Sequence, residues 1–188
     1  IYAVHIDYAN REVSRQEAEF VVKWCEFLQI SLYLRRIEHI QRNEKIGEKK
    51  IDRKVYEEET KRIRFALYHH VLKLHPDVFG VCLGHHEGDL VENVLMNIFR
   101  NSDILDLNKM KDVNTIDNVR ICRPMLGLDK SFVYAVSEKF SIPYPKNTTC
   151  ETCCRGILRE QILPQIEKIS DSFSGILAIG QASEAWSA

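Results

Sequence analysis

Apolar positions along this chain change period several times, and the changes mark out its elements. Ile1 to Asp7 is apolar enough for a buried parallel strand. Ser14-Arg15-Gln16-Glu17 has the form of a capping box, and Phe20, Val21, Trp24, Cys25 and Leu28 follow on one helical face. Ile30 to Ile37 reads as a second strand, so the opening is a β-α-β unit, which predicts a parallel sheet. Charge replaces periodicity from Glu38 to Arg53, a predicted loop, before a long helix over Tyr56 to Leu74 with Ile63, Leu67, His70, Val71 and Leu74 inward. Val78 to Leu83 is a short apolar run punctuated by Gly84, after which Leu90, Val91, Val94, Leu95, Ile98 and Phe99 recur at helical spacing. Residues 101–118 are polar and read as irregular; Asn118 to Met125 reads as a strand and Lys130 to Phe140 as a helix. A Pro-punctuated loop over 142–149 precedes a helix opened by Arg155, and the chain from Ser170 is a weakly patterned tail.

The helix after Gly84 carries a second pattern. Asp89, Glu92, Asn93, Asn97 and Arg100 fall on one polar stripe opposite the apolar one. The stripe starts at the carboxyl end of a strand, where open α/β sheets bind ligands. Two histidines (His85, His86), two carboxylates and an arginine there can meet a phosphate, a Mg²⁺ ion or a proton in transit; equally, Asp89 can cap a helix whose polar face is solvated. His69, His70 and His75 lack a metal-ligand spacing and read as packing or surface residues.

Composition narrows the function classes. With 26 basic and 27 acidic residues among 188 and a net charge of −1, the chain has no global basic field, so any RNA contact is expected to be a local patch or to belong to a part beyond these residues. The densest basic stretch is Lys45, Lys49, Lys50, Arg53 and Lys54, either an RNA phosphate contact or a solvated face. No stretch is long and apolar enough to span a membrane, and the cysteines do not form a secreted disulfide framework, so a reducing compartment is expected, the cytoplasm with an organelle left open. Cys150, Cys153 and Cys154 cluster, as half of a metal site or as free thiols. Initiator Met is removed efficiently only before small residues, so a segment upstream of Ile1 is expected.

Several blocks carry a family resemblance. Gly84-His85-His86-Glu87-Gly88-Asp89-Leu90-Val91-Glu92-Asn93 resembles the His-His-x-x-Asp-x-x-Glu-Thr signature of tRNA(Ile)-lysidine synthetases in the PP-loop ATP pyrophosphatase superfamily, with Asn93 in the Thr place. Val4 to Arg11 is similar to the family's His-x-Asp-His-x-x-Arg strand motif, with Tyr8 for the second His. Glu57, Thr60, Lys61, Arg64 and Phe65 match its Glu-x-x-Ala-Arg-x-x-Arg-Tyr helix, and Arg123-Pro124-Met125-Leu126 its Arg-Pro-Leu-Leu. Arg155-Gly156-Ile157-Leu158-Arg159 to Pro164 resembles Arg-Asn-x-Ile-Arg-x-x-Ile-Leu-Pro. The blocks keep the family's order.

The resemblance implies an open parallel sheet flanked by helices in three α/β/α layers, the adenine nucleotide α-hydrolase-like fold, over residues 1–169 with 170–188 as tail. The family's phosphate-cradling Ser-Gly-Gly-x-Asp-Ser loop would lie upstream of Ile1. It implies ATP and Mg²⁺, tRNA and an amine such as lysine as partners, and no membrane. It assigns His85, Asp89, Glu92 and Arg123 to catalysis, with Asp89 and Glu92 toward Mg²⁺. Asp7, Tyr8, Arg11, His86 and Asn93 go to the nucleotide, and Arg64, Arg100, Arg155 and Arg159 to phosphate or tRNA. Two other functions stay open: a binding or scaffold module that has lost catalysis, and a tRNA thiolase using Cys150, Cys153 or Cys154.

Overall fold

A computed structural model describes residues 1–9, 13–38, 45–46, 49–50, 52–144, 153–170 and 172–186. They fall into two compact units, Ile1–Val81 with Thr115–Arg120, and Cys82–Asn114 with Ile121–Ala188.

In the first unit, β1 (Tyr2–Asp7) and β2 (Ser31–Arg36) pair in parallel, from Tyr2 opposite Ser31 to Asp7 opposite Arg36, with α1 (Ser14–Phe27) between them in sequence. The β-α-β reading therefore holds, but the capping box does not form. The residue before α1 is Val13, already at φ −79°, ψ −9° and without a side-chain cap bond. Capping needs an extended residue just outside the helix, and Ser14 lies one position too far in, buried in the first turn.

The expected loop over Glu38 to Arg53 gives way to two short antiparallel strands, β3 (Lys45–Ile46) and β4 (Lys49–Lys50), and an earlier helix start. Asp52 caps α2 (Arg53–Leu74), its Oδ1 accepting from Lys54 N–H at 2.9 Å. Of the basic side chains in that stretch only Lys54 is described, and it is exposed. The inward face of α2 is also shifted from the reading above. Tyr56, Thr60, Ile63, Phe65, Tyr68 and Val71 are buried, while His70 and Leu74 are exposed. Thr60 joins this face because its hydroxyl donates back to the Tyr56 carbonyl at 2.8 Å, which removes the cost of burying it. Tyr56 and Ile63 meet Ile37 in the core, with Ile6 and Tyr8 packed against them. His75 is a packing residue, stacked on Tyr2 with ring centroids 3.7 Å apart and 2.7 Å from the Tyr33 hydroxyl.

Further along come β5 (Val81–Cys82), α3 (Glu87–Phe99), a 3₁₀ turn (Ile104–Asp106), β6 (Val113–Ile116) and β7 (Val119–Cys122). The three strands order as β5, β7, β6. Strand β6 falls in a segment read as irregular. The link to β7 is Asp117-Asn118, both left-handed at φ 48° and 60°, the type I′ geometry that suits a two-residue hairpin.

The second unit continues with α4 (Lys130–Lys139), α5 (Cys154–Ile157), a π-helical turn (Leu158–Ile162), α6 (Leu163–Glu167) and α7 (Ser174–Trp186). Val91 and Leu95 of α3 form a buried cluster with Leu158, flanked by Ile162, Leu163 and Ile166. Residues 170–188, read as a tail, thus hold a helix. Gly180 of α7 is buried, and the hydroxyl of Ser183 accepts from Leu107 N–H at 3.0 Å.

A Cβ at Gly180 would lie 2.8 Å from Cγ2 of Val94, a fully buried side chain. Alanine gains roughly 0.5 to 1 kcal/mol of helix propensity there, against about 1 to 3 kcal/mol for overpacking a core. Gly180→Ala is expected to lower stability by about 1 kcal/mol in urea unfolding; a more stable variant would show that the two helices yield freely.

Candidate functional site

The site is built on the first two turns of α3. His86 is the N-cap residue, extended at φ −126°, ψ 179°. Its Nδ1 accepts from Gly88 N–H at 3.0 Å, while Asp89 Oδ2 accepts from His86 N–H at 3.1 Å. The capping residue is therefore His86, and Asp89 is its reciprocal partner rather than the cap itself. With Nδ1 accepting, the neutral ring carries its proton on Nε2, which lies 3.5 Å from Asp89 Oδ2. A Cβ at Gly88 would come within 2.9 Å of His86 Cε1, so a larger residue there would push the imidazole away from the Gly88 N–H that it accepts from. Glu87 N–H donates to the Leu128 carbonyl at 3.0 Å and ties the helix start to the chain after β7.

Asp89 and Glu92, one turn apart, converge on a single cation. Arg159 donates from Nε to Glu92 Oε1, and from Nη2 to Glu92 Oε2 at 3.1 Å and to Asp89 Oδ1 at 3.2 Å. Glu92 is 3 % exposed, while the arginine is a little over a quarter exposed. This is the fork geometry that makes arginine a strong partner for carboxylates. The hydrogen bond to Glu92 raises the Arg159 guanidinium above its usual value, against the desolvation of its half-buried place.

Two carboxylates and one guanidinium leave a negative charge in excess. Such a set can accept a proton or hold a cationic group, and it does not suit a phosphate. Arg159, expected to grip phosphate or tRNA, is here committed to the two acids, whereas Arg155, on α5, is exposed. Mg²⁺, like any other cation here, would share the carboxylate oxygens with the Arg159 guanidinium and the His86 N–H, and among the described residues no group of three or more His, Cys, Asp and Glu could hold a metal ion.

The polar stripe of α3 is buried at Glu92 and Asn97 and half-buried at Asp89 and Asn93. Asn97 is buried, its amide donating to the Leu107 carbonyl at 2.8 Å and to Asn93 Oδ1 at 3.4 Å. Asn97 and Asn93 thus hold the chain after α3, and Arg100 stands exposed just past its last turn. His85 is half-buried in the segment before the cap. Arg123 departs most from expectation. It is 5 % exposed and turned inward, with Nη1 donating to the Lys111 carbonyl at 2.7 Å and to Asn114 Oδ1 at 2.8 Å. Burial lowers its pKa, and a guanidinium so placed braces the 111–114 segment instead of reaching for a phosphate.

Within the first unit, Asp7 is buried at the end of β1. Its Oδ1 accepts from Ala9 N–H at 2.8 Å, holding a left-handed Ala9, and its Oδ2 lies 3.6 Å from Arg36 Nε. Beside it a cleft of about 400 Å³ is lined by Asp7, Arg15, Val22, Leu34 and Arg36. Tyr8 packs on the core, and half-buried Arg64 lies 5.9 Å from the Phe65 ring centroid. Arg11 and Cys150 lie outside the described residues.

Cys153, which the sequence offers as a free thiol or as half of a metal site, has a role its spacing does not suggest: its Sγ caps α5, accepting from Gly156 N–H at 3.4 Å.

Comparison with known proteins gives the family and the fold. A family model described as a PP-loop domain matches residues 1–166. A tRNA(Ile)-lysidine synthase of Chlamydia muridarum is 30% identical over 170 residues, covering 89% of this chain and 50% of that protein. One from Chlamydia caviae is 27% identical over 186 residues, covering 97% and 56%. The chain thus spans about half the length of the curated relatives it matches. Among solved structures, the U34-tRNA thiolase of Methanococcus maripaludis with its [4Fe-4S] cluster superposes with a TM-score of 0.70 at 16% identity, over 98% of this chain and 61% of that one. The α/β architecture is shared with that enzyme, and the family match over 1–166 makes this chain a member of the PP-loop family.

Proposed function

We propose that the protein is an ATP-dependent tRNA-modifying ligase of the lysidine synthase type. The observation that carries this reading is the 30% identity to a tRNA(Ile)-lysidine synthase along 89% of the chain. In the reaction, the C2 oxygen of a tRNA cytidine attacks the α-phosphorus of ATP, and the bond to pyrophosphate breaks. The amine nitrogen of lysine then attacks C2, the C–O bond breaks, AMP leaves with the oxygen, and the nitrogen gives up a proton.

This chain's residues supply the acid-base side of that scheme. Asp89 and Glu92 form a fixed pair of acceptors for a cationic group or a released proton, with His85 and His86 beside them in sequence. Their orientation is set in advance by the His86 cap and the Arg159 fork, so little reorganisation accompanies the reaction. Exposed Arg100 and Arg155, with Arg64, are assigned to tRNA phosphates, and Asp7, Tyr8, Arg11 and Asn93 to the nucleotide. The cytoplasm is the proposed compartment; no helix among the described residues is long and apolar enough to cross a membrane.

A second reading, tRNA thiolation, is favoured by the thiolase neighbour together with Cys153 and Cys154. The deciding experiment uses the full-length protein with tRNA. tRNA-dependent exchange of labelled pyrophosphate into ATP, followed by incorporation of labelled lysine, is the expected result. Exchange with sulfur incorporation instead of lysine would transfer the assignment to thiolation, and absence of exchange would leave a binding module.

A further inference from the structure

Arg159 reaches Glu92 and Asp89 from an unusual stretch of helix. Leu163 N–H donates to the Leu158 carbonyl, five residues back, so residues 158–162 form one wide π turn inside an otherwise α-helical run from Cys154 to Glu167. Pro164 stands at the next position. It has no N–H to give and its ring excludes the carbonyl four residues earlier, that of Glu160; widening the preceding turn relieves both.

The extra residue cannot be absorbed elsewhere. Upstream, Ile157 N–H bonds the Cys153 carbonyl at 2.9 Å in ordinary α geometry. Downstream, Leu163 and Ile166 are packed against the core of α3. Leu158, 1 % exposed, is itself part of that core. Arg159 therefore lies inside the widened turn, between Leu158 and Ile162, both of which are seated on the α3 cluster. Removing one residue's worth of winding rotates a side chain by about 100° around the helix axis. That is enough to carry the guanidinium off two carboxylates that themselves sit one turn apart on α3.

We propose that Pro164 is a positioning residue: it sets the π turn that aims Arg159 at Glu92 and Asp89, and it acts on the reaction only through that fork. The functional half of this statement rests on the reading given above; the geometric half does not. Ring removal at this position can only add a hydrogen-bond donor, so Pro164→Ala is expected to fold, and Pro164→Ser is a second ring-free variant.

The geometric half is tested by nuclear magnetic resonance of the Arg159 Nε–H in the full-length protein. In the native sequence that proton should be protected from solvent exchange; in Pro164→Ala it should exchange at least about tenfold faster, as it should in Glu92→Gln. The functional half is tested by a double-mutant cycle on tRNA-dependent pyrophosphate exchange. Pro164→Ala should lower the rate about tenfold in the native background and not at all in Arg159→Gln, whereas a merely structural role gives the same loss in both. Unchanged protection of Arg159 in both ring-free variants overturns the proposal, as do additive losses in the cycle. If the native protein shows no exchange, the functional reading fails, and the protection measurement alone decides whether Pro164 aims Arg159.

Discussion

Replacing Arg159 with alanine should cost about 3 kcal/mol of stability, the lower end of the range for breaking a buried ion pair. Glu92 sets this size. At 3 % exposed it cannot recover its lost partner from water. Arg159 itself is partly solvated, which keeps the effect from the top of the range. The damage comes mostly from the stranded carboxylate, so Arg159→Ala combined with Glu92→Gln should be more stable than Arg159→Ala alone, by about 1 kcal/mol or more. Urea unfolding at neutral pH reads both values. A loss below about 0.5 kcal/mol for the single variant would mean that the fork is a surface pairing.

Asp89→Asn separates chemistry from architecture. Asparagine keeps an oxygen for the His86 N–H, so the helix cap survives and stability should change by no more than about 1 kcal/mol. It removes a charge from the acceptor pair, and a group that takes or steers a proton in the rate-limiting step contributes about 10² to 10⁴ in rate. The expected outcome is a fall of about a thousandfold in tRNA-dependent adenylation with no more than that small change in stability. Undiminished adenylation would take Asp89 out of the reaction and leave it as half of a capping box.

What could be read from the sequence divides along a physical line. Period and local chemistry gave β1, α1, β2 and the α3 stripe, because each is set by residues within a few positions of one another. The partner of that stripe was not legible in the same way. That Arg159 folds back on Glu92, 67 residues away, depends on a hydrophobic cluster and a widened turn that spacing arguments do not contain. Family resemblance pointed to Arg159 and missed what it touches.

Two elements were hidden for opposite reasons. Helix α7 packs through small residues, Gly180 and Ser183, and small residues give little contrast between faces, so a docked helix read as a tail. Strand β6 was masked by its polar neighbours, although Asp117-Asn118 is a recognisable hairpin signal once the left-handed angles are known. Arg123 is instructive in another way. The family motif assigns this strand-end arginine to catalysis, and its guanidinium is 5 % exposed, held by the Lys111 carbonyl and Asn114.

That buried guanidinium has a bearing on how the protein responds to its medium and to drift. Among the described residues Arg123 meets a carbonyl and an amide oxygen, with no carboxylate paired to it. Dissolved ions weaken attraction between charges and leave such shielded dipolar contacts nearly untouched, so the 111–114 segment should hold its shape in brine as well as in dilute buffer. Both contacts are made by Nη1, at the far end of the arginine side chain. Lysine, the conservative replacement by charge, would preserve the positive sign but carry its donors on a shorter head of different shape.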